Sequence, residues 1–134
     1  MSAAYDLAKY IAETLSKGTL GSNVFCNFMP DVPKDCIAVY QYGGDPSLKG
    51  HGGGAGSLET ARLQINVRND QAQTAEETCY DIYKSLDNLA ANVTINSVVY
   101  TWLHPLQPPF ILEREQGGGK LFVFNMEAQR VRPS

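Results

Sequence analysis

The sequence predicts an α+β fold: a mainly antiparallel or mixed sheet of about five strands with two amphipathic helices packed on one face. The expected order is α-β-β-α-β-β-β. Three observations carry this. Between Thr60 and Asn69, Leu63, Ile65 and Val67 alternate with Arg62, Gln64, Asn66 and Arg68. That two-residue period belongs to a strand with one buried and one polar face. Two further segments repeat at three- and four-residue spacing: Leu7, Tyr10, Ile11, Thr14 and Leu15, and then Ala75, Cys79, Ile82, Leu86 and Leu89. Each describes a helix with one apolar stripe. Strands that show a polar face favour an antiparallel sheet covered by helices on one side.

The first helix is expected over Ala3–Lys17, with Asp6, Lys9 and Glu13 on its polar side and Gly18 as its stop. The segment Thr19–Asp35 then mixes Gly, Asn and Pro. It reads as a long connection pinned to the core by Val24, Phe25, Phe28 and Met29, with Pro30 and Pro33 keeping it extended or turning. Cys36–Tyr42 (CIAVYQY) is rich in β-formers and predicts a strand ending at Gly43–Gly44. Residues 44–59 contain Pro46–Ser57 (PSLKGHGGGAGS), whose glycines make a packed conformation entropically costly, so a flexible loop is expected.

After the alternating strand, Asn69 or Asp70 can cap the second helix, with Thr74 and Glu77 as an alternative pair. This helix is expected to run to about Ala90. Val93–Ile95 and Val98–His104 then form a hairpin around the two-residue turn Asn96–Ser97. Gln107–Gly119 reads as a Pro-rich, then Gly-rich loop. Lys120–Val131 closes the fold as its last strand.

A chain of 134 residues fits one domain, 1–134, with one modest core. Its formal charge of −3 gives no electrostatic footprint for gripping phosphates. Cys26, Cys36 and Cys79 form no CxxC pair and read as free thiols of a reducing compartment. Met1–Lys9 lacks the basic and apolar regions of a signal peptide. No window approaches the ~20 apolar residues of a membrane span. A soluble, intracellular protein without a membrane partner is expected.

Several patterns suggest chemistry and are outweighed. Gly50, Gly52 and Ala55 satisfy the G-x-G-x-x-[GA] dinucleotide pattern, but a strand follows them where the pyrophosphate needs a helix N-terminus. His51–Gly54 reads HGGG, as in oxyanion loops, yet no G-x-S-x-G elbow accompanies it. Cys36 and Cys79 lie on apolar faces and suit core filling better than metal ligation. The sequon Asn92–Val93–Thr94 has meaning only in a secreted protein. Glu113–Arg114–Glu115 is either a solvated run with a weak ion pair or a set of charges that fixes register with a neighbouring subunit. Tyr40, Tyr42, Tyr100 and Trp102 fall on strands, where most fill the core and an edge position would make a docking surface. No catalytic residue, cofactor site or metal site is expected.

Three segments, taken in order, resemble a known family. Pro30–Gly44 (PDVPKDCIAVYQYGG) resembles its aspartate, proline and I-A-V-Y-like strand ending in two glycines. Leu63–Arg68 (LQINVR) is similar to its Q-V-x-V-R strand, which runs into an alanine-rich helix. Gln107–Glu115 (QPPFILERE) and the strand Phe122–Asn125 resemble its Q-x-P-x-x-L-x-x-[DE] closing pattern. The family is that of bacteriophage minor capsid proteins similar to the tail terminators of long-tailed phages, and the resemblance runs from Leu7 to Val131.

The resemblance implies a structural virion protein at the head-proximal end of the tail, assembled in the host cytoplasm. It implies a ring, commonly sixfold, that caps the tail tube, ends tail growth and joins tail to head. The implied partners are further copies of the chain, the tail tube protein and a head-completion or connector protein, with DNA passing through the ring without specific binding. Subunit contacts are expected at Arg62, Gln64, Asn66 and Arg68 and at Glu113, Arg114 and Glu115. The glycine loop with Lys49, His51, Gly52, Gly53 and Gly54 is expected at the rim or facing the lumen. A tail tube subunit or a head–tail adaptor is the alternative within this class. Outside it stands a small cytosolic ligand-binding protein or enzyme that uses the glycine loop as a lid over a pocket near His51 and His104.

Overall fold

A computed structural model of the chain describes residues 2–48, 58–89, 91–114 and 120–131. Helix α1 spans Ala3–Lys9, and Ser2 caps it by accepting from the Tyr5 amide at 3.2 Å. Ala3, Ala4, Leu7, Ala8, Ile11 and Ala12 are buried, and the four small side chains let the helix lie close on the sheet. The expected helix to Lys17 is not continuous. Tyr10–Thr14 forms a π-helical turn, with the amides of Leu15 and Lys17 donating to the carbonyls of Tyr10 and Ile11, both at 3.1 Å. Ser16, at φ 56°, ends the helical path two residues before Gly18. Asp6, expected on the polar side, is instead fully buried.

Among the described residues the sheet has seven strands, two more than expected. β1 (Val24–Cys26) arises inside the segment read as a connection and runs parallel to β2 (Cys36–Leu48). β2 and β3 (Leu58–Asn69) pair antiparallel over a span that includes both ends of the expected 44–59 loop. Strand β2 passes through Gly43–Gly44 on a bulge instead of stopping there. Gly44 faces Ala61, and a Cβ at that position would come within 2.4 Å of the Thr60 carbonyl oxygen, so only glycine lets the strands close here. The loop residues Lys49, His51, Gly52, Gly53 and Gly54 lie outside the described residues.

Helix α2 covers Ala72–Asp87, three residues short of the expected end. Its buried stripe is Ala75, Cys79, Ile82 and Leu86, as the spacing predicts, with Leu89 packed on the same core. The N-cap residue is Gln71, not Asn69 or Asp70; Asn69 Oδ1 accepts from the Gln71 amide at 2.9 Å and forms the turn before it. β4 (Val93–Ile95) and β5 (Val98–Pro105) form the expected hairpin, with Asn96 and Ser97 both at positive φ. The expected loop at Gln107–Gly119 contains β6 (Phe110–Arg114), which pairs with β7 (Lys120–Val131).

The strand order is β1-β2-β3-β7-β5-β4. β7 is central: β3 pairs along its whole length on one side, while β6 and β5 share the other side end to end. Between those two, the Asn125 amide donates to Gln107 Oε1 at 3.0 Å and its carbonyl accepts from the Leu106 amide at 2.8 Å. The chain can therefore leave β5 and re-enter as β6 without stranding the backbone of β7. Both helices pack on one face, over Ile37, Val39, Leu63, Ile65, Val67, Phe122, Phe124 and Met126.

Candidate functional site

The helix-side face holds one polar island. Asp6 is fully buried; its Oδ2 accepts from the Tyr100 hydroxyl at 2.6 Å and from Arg130 Nη1 at 3.1 Å, and its Oδ1 accepts from Asn96 Nδ2 at 2.8 Å. Arg130 Nε also reaches Glu59 Oε1 at 3.0 Å, and Lys9 Nζ donates to Asn96 Oδ1 at 3.3 Å. A buried carboxylate is costly unless paired and hydrogen-bonded, and three donors meet this one. Burial first, then the hydrogen bond to Asp6, pushes the Tyr100 hydroxyl pKa upward, so Tyr100 remains a donor. The island ties α1 to the β4–β5 turn and to the end of β7. Ser2, Gly43, Gly44, Glu59, Thr60 and Arg130 line an open hollow of about 340 Å³ beside it.

Among the described residues, no helix covers the opposite face of the sheet, and that face carries a polar ladder. Gln64 Nε2 donates to Asn125 Oδ1 at 3.2 Å, and Asn66 Nδ2 donates to Gln64 Oε1 at 3.3 Å. Arg62 Nε lies 3.9 Å from Glu127 Oε2. Strand alternation thus delivers Arg62, Gln64, Asn66 and Arg68 to one face, but not to one environment. Arg62 and Gln64 are half-exposed, whereas Asn66 is 4% and Arg68 7% exposed.

The reason is the segment before β2. It folds over this end of the face, and its carbonyls converge on the Arg68 guanidinium. Nε donates to Lys34 O and Nη2 to Pro33 O, each at 2.9 Å, and Nη2 also to Pro30 O. Arg68, expected at a subunit surface, is buried as a tether for the chain's own connection. Phe25, Cys36 and Ala38, with Met29 and Tyr40, fill the space beneath it as a second small core.

The remaining candidates separate. Glu113 and Arg114 sit on β6, opposite Leu121 and Lys120 in register, while Glu115 lies outside the described residues. Tyr100 is buried, Tyr42 is exposed, and Trp102 stacks on His104 with centroids 4.8 Å apart. Cys79 is fully buried, and burial pushes its thiol up to about 12. Among the described residues, no cluster of three or more His, Cys, Asp or Glu could hold a metal ion, and no helix is long and apolar enough to cross a membrane.

The island of Asp6, Tyr100 and Arg130 was missed in the sequence, although a signal was present. Phe122, Phe124, Met126 and Ala128 fix the inward parity of β7, and Arg130 continues it. Asp6 lies three residues after Ala3 and beside Leu7, on the apolar side of α1. An inward arginine and an inward aspartate can be read as partners.

Compared with known proteins, residues 6–132 match the bacteriophage tail terminator protein family. The chain belongs to that family. It is a structural component of a phage tail, and the family is one of virion proteins, not of enzymes. None of the curated proteins compared matches the chain. Among solved structures, a chain from the virion of a native gene transfer agent particle is similar over 97% of this chain and 92% of that chain, with TM-score 0.55 and 12% identity. At that identity the likeness speaks for the fold of this family member: two helices against one curled sheet.

Proposed function

We propose that this family member is a tail terminator that assembles as a ring, commonly sixfold, on the finished tail tube. The ring ends tube growth and offers its other side to a head-completion or connector protein. The family match over residues 6–132 carries the reading. The neighbouring fold comes from a particle whose description names a virion, which supports a place in a phage-like assembly.

The action needs no nucleophile. A heterologous contact buries one patch of each subunit against a different patch of the next, and closure follows when the rotation returns to the start. Tube growth stops because the ring's outer side no longer presents a tube-like edge. Arg62 and Gln64, on the helix-free face, together with Glu113, Arg114 and Glu115, would contact neighbouring subunits or the tube. Asn66 and Arg68 would support that face from beneath. The glycine stretch with Lys49, His51, Gly52, Gly53 and Gly54 would lie at the rim or lumen, and DNA would pass without specific binding, consistent with the net charge of −3. The test is negative-stain microscopy of the purified protein over a concentration series, with native mass spectrometry. Closed rings of one size are expected. Open tubes of unlimited length would instead identify a tube subunit.

A further inference from the structure

We propose that residues 27–35 form a strap that opens as a unit and that, when closed, withholds half of the contact row on β3 from a neighbouring copy. The second half of this rests on the ring reading above. Strand parity sets Arg62, Gln64, Asn66 and Arg68 on one face of the sheet. Arg62 and Gln64 reach the surface, whereas Asn66 and Arg68 are buried at the end over which the strap folds. Opening delivers all four to that face.

The strap is attached at few points. Among the described residues, 27–35 pair with no strand. At one end the Asn27 amide donates to the Val39 carbonyl at 2.8 Å, and Asn27 Oδ1 accepts from the Gln41 amide at 2.9 Å. At the other, Asp35 Oδ1 accepts from the Asp70 amide at 3.0 Å. Between these two hinges the Arg68 guanidinium donates to the carbonyls of Pro30, Pro33 and Lys34, and Met29 packs on the small core of Phe25, Cys36 and Ala38. Phe28 leans on Phe25 yet stays 53% exposed, and Val32 is 78% exposed.

That small core is separate from the main one, which lies on the other face beneath the helices. Opening therefore costs one minor cluster and leaves the larger intact, which is the profile of a segment that opens locally below the free energy of global unfolding. No polar group is stranded by it, because the Arg68 guanidinium and the three carbonyls reach water together. The closed strap is thus an autoinhibitory contact. A neighbour that needs the full row binds only the open fraction of subunits, so its apparent affinity falls by that fraction. Binding in turn draws the population towards the open form.

Two native thiols report the two events separately, because Cys36 is buried in the small core and Cys79 in the main one. The purified chain is reacted with N-ethylmaleimide, and each site is followed by peptide mass spectrometry. Met29→Ser removes the apolar anchor of the strap and keeps the guanidinium beside the Cys36 thiol, so a faster reaction there reports access. The expected result is Cys36 reacting roughly tenfold faster than in the wild type, with Cys79 and circular dichroism unchanged. Arg68→Met should act in the same direction at Cys36. Equal acceleration at both thiols, or none at Cys36 in either variant, would overturn the strap. Met29→Ser should also self-associate at a roughly tenfold lower concentration than the wild type. Fast Cys36 labelling with an unchanged association concentration would overturn the autoinhibition and leave the ring reading standing. Open fibres in place of rings, with both shifts present, would keep the strap and overturn the ring.

Discussion

Asp6 shows how one residue can decide where a helix lies. It is fully buried, its partners come from β4–β5 and β7, and removing any donor leaves charge insufficiently compensated. Tyr100→Phe removes the 2.6 Å hydrogen bond and should cost about 2 kcal/mol in urea unfolding; an unchanged midpoint would show that the carboxylate is served by its other donors. Cys79 makes the alkaline prediction. Its folded pKa is raised from 9.0 to about 12, so the folded state holds the proton more tightly than the unfolded one. The stabilisation is complete below pH 9 and is lost as pH climbs from there towards 12, by up to ~4 kcal/mol for this thiol. Unfolding midpoints at pH 8 and pH 11 should draw closer together in Cys79→Ala than in the wild type. The sequence marked Cys79 as core because it lies on a 3.6-residue stripe. It did not mark Arg68 as buried, because strand parity shows which face a side chain takes and not what folds over that face.

Among the elements, those with strong local periodicity were legible. β3, α2 and the hairpin around Asn96–Ser97 stand where their patterns predict, to within a few residues. β1 and β6 were not, for a common reason. They have three and five residues, follow Gly/Asn- or Pro-rich stretches, and owe their strand form to pairing with β2 and β7. The break from α1 into a π-helical turn has no marker in an otherwise continuous helical period. The hairpin offers a test. Ser97 holds φ 63° without being glycine, a conformation that costs a side-chain-bearing residue about 1 kcal/mol. Ser97→Gly should therefore raise stability by up to ~1 kcal/mol, since Asn-Gly is the preferred pair for this turn. Gly44→Ala should act in the opposite direction, because its Cβ would meet the Thr60 carbonyl oxygen at 2.4 Å; thermal melts of the two variants should move apart from the wild type in opposite senses.

For the molecule as a whole, the sheet divides the work. One face carries both helices, the core and the Asp6 island; the other carries the Arg62–Glu127 and Gln64–Asn125 ladder. Exposed apolar residues stand near β1, at Phe28, and on β6, at Phe110, Ile111 and Leu112. The α+β class and the family were legible in the order of weak motifs along the chain, and the match over residues 6–132 bears out the family. The contacts were less legible: the polar set 62–68 divides between surface and tether, and the apolar edge of β6 lay hidden in what read as a loop. Ending tail growth is the account's central claim, and tail length in particles assembled with and without this protein tests it most directly. Electron microscopy should show tails of uniform length joined to heads when the protein is present, and over-long, headless tails when its gene is deleted. Tails of normal length attached to heads in the deletion would contradict the account.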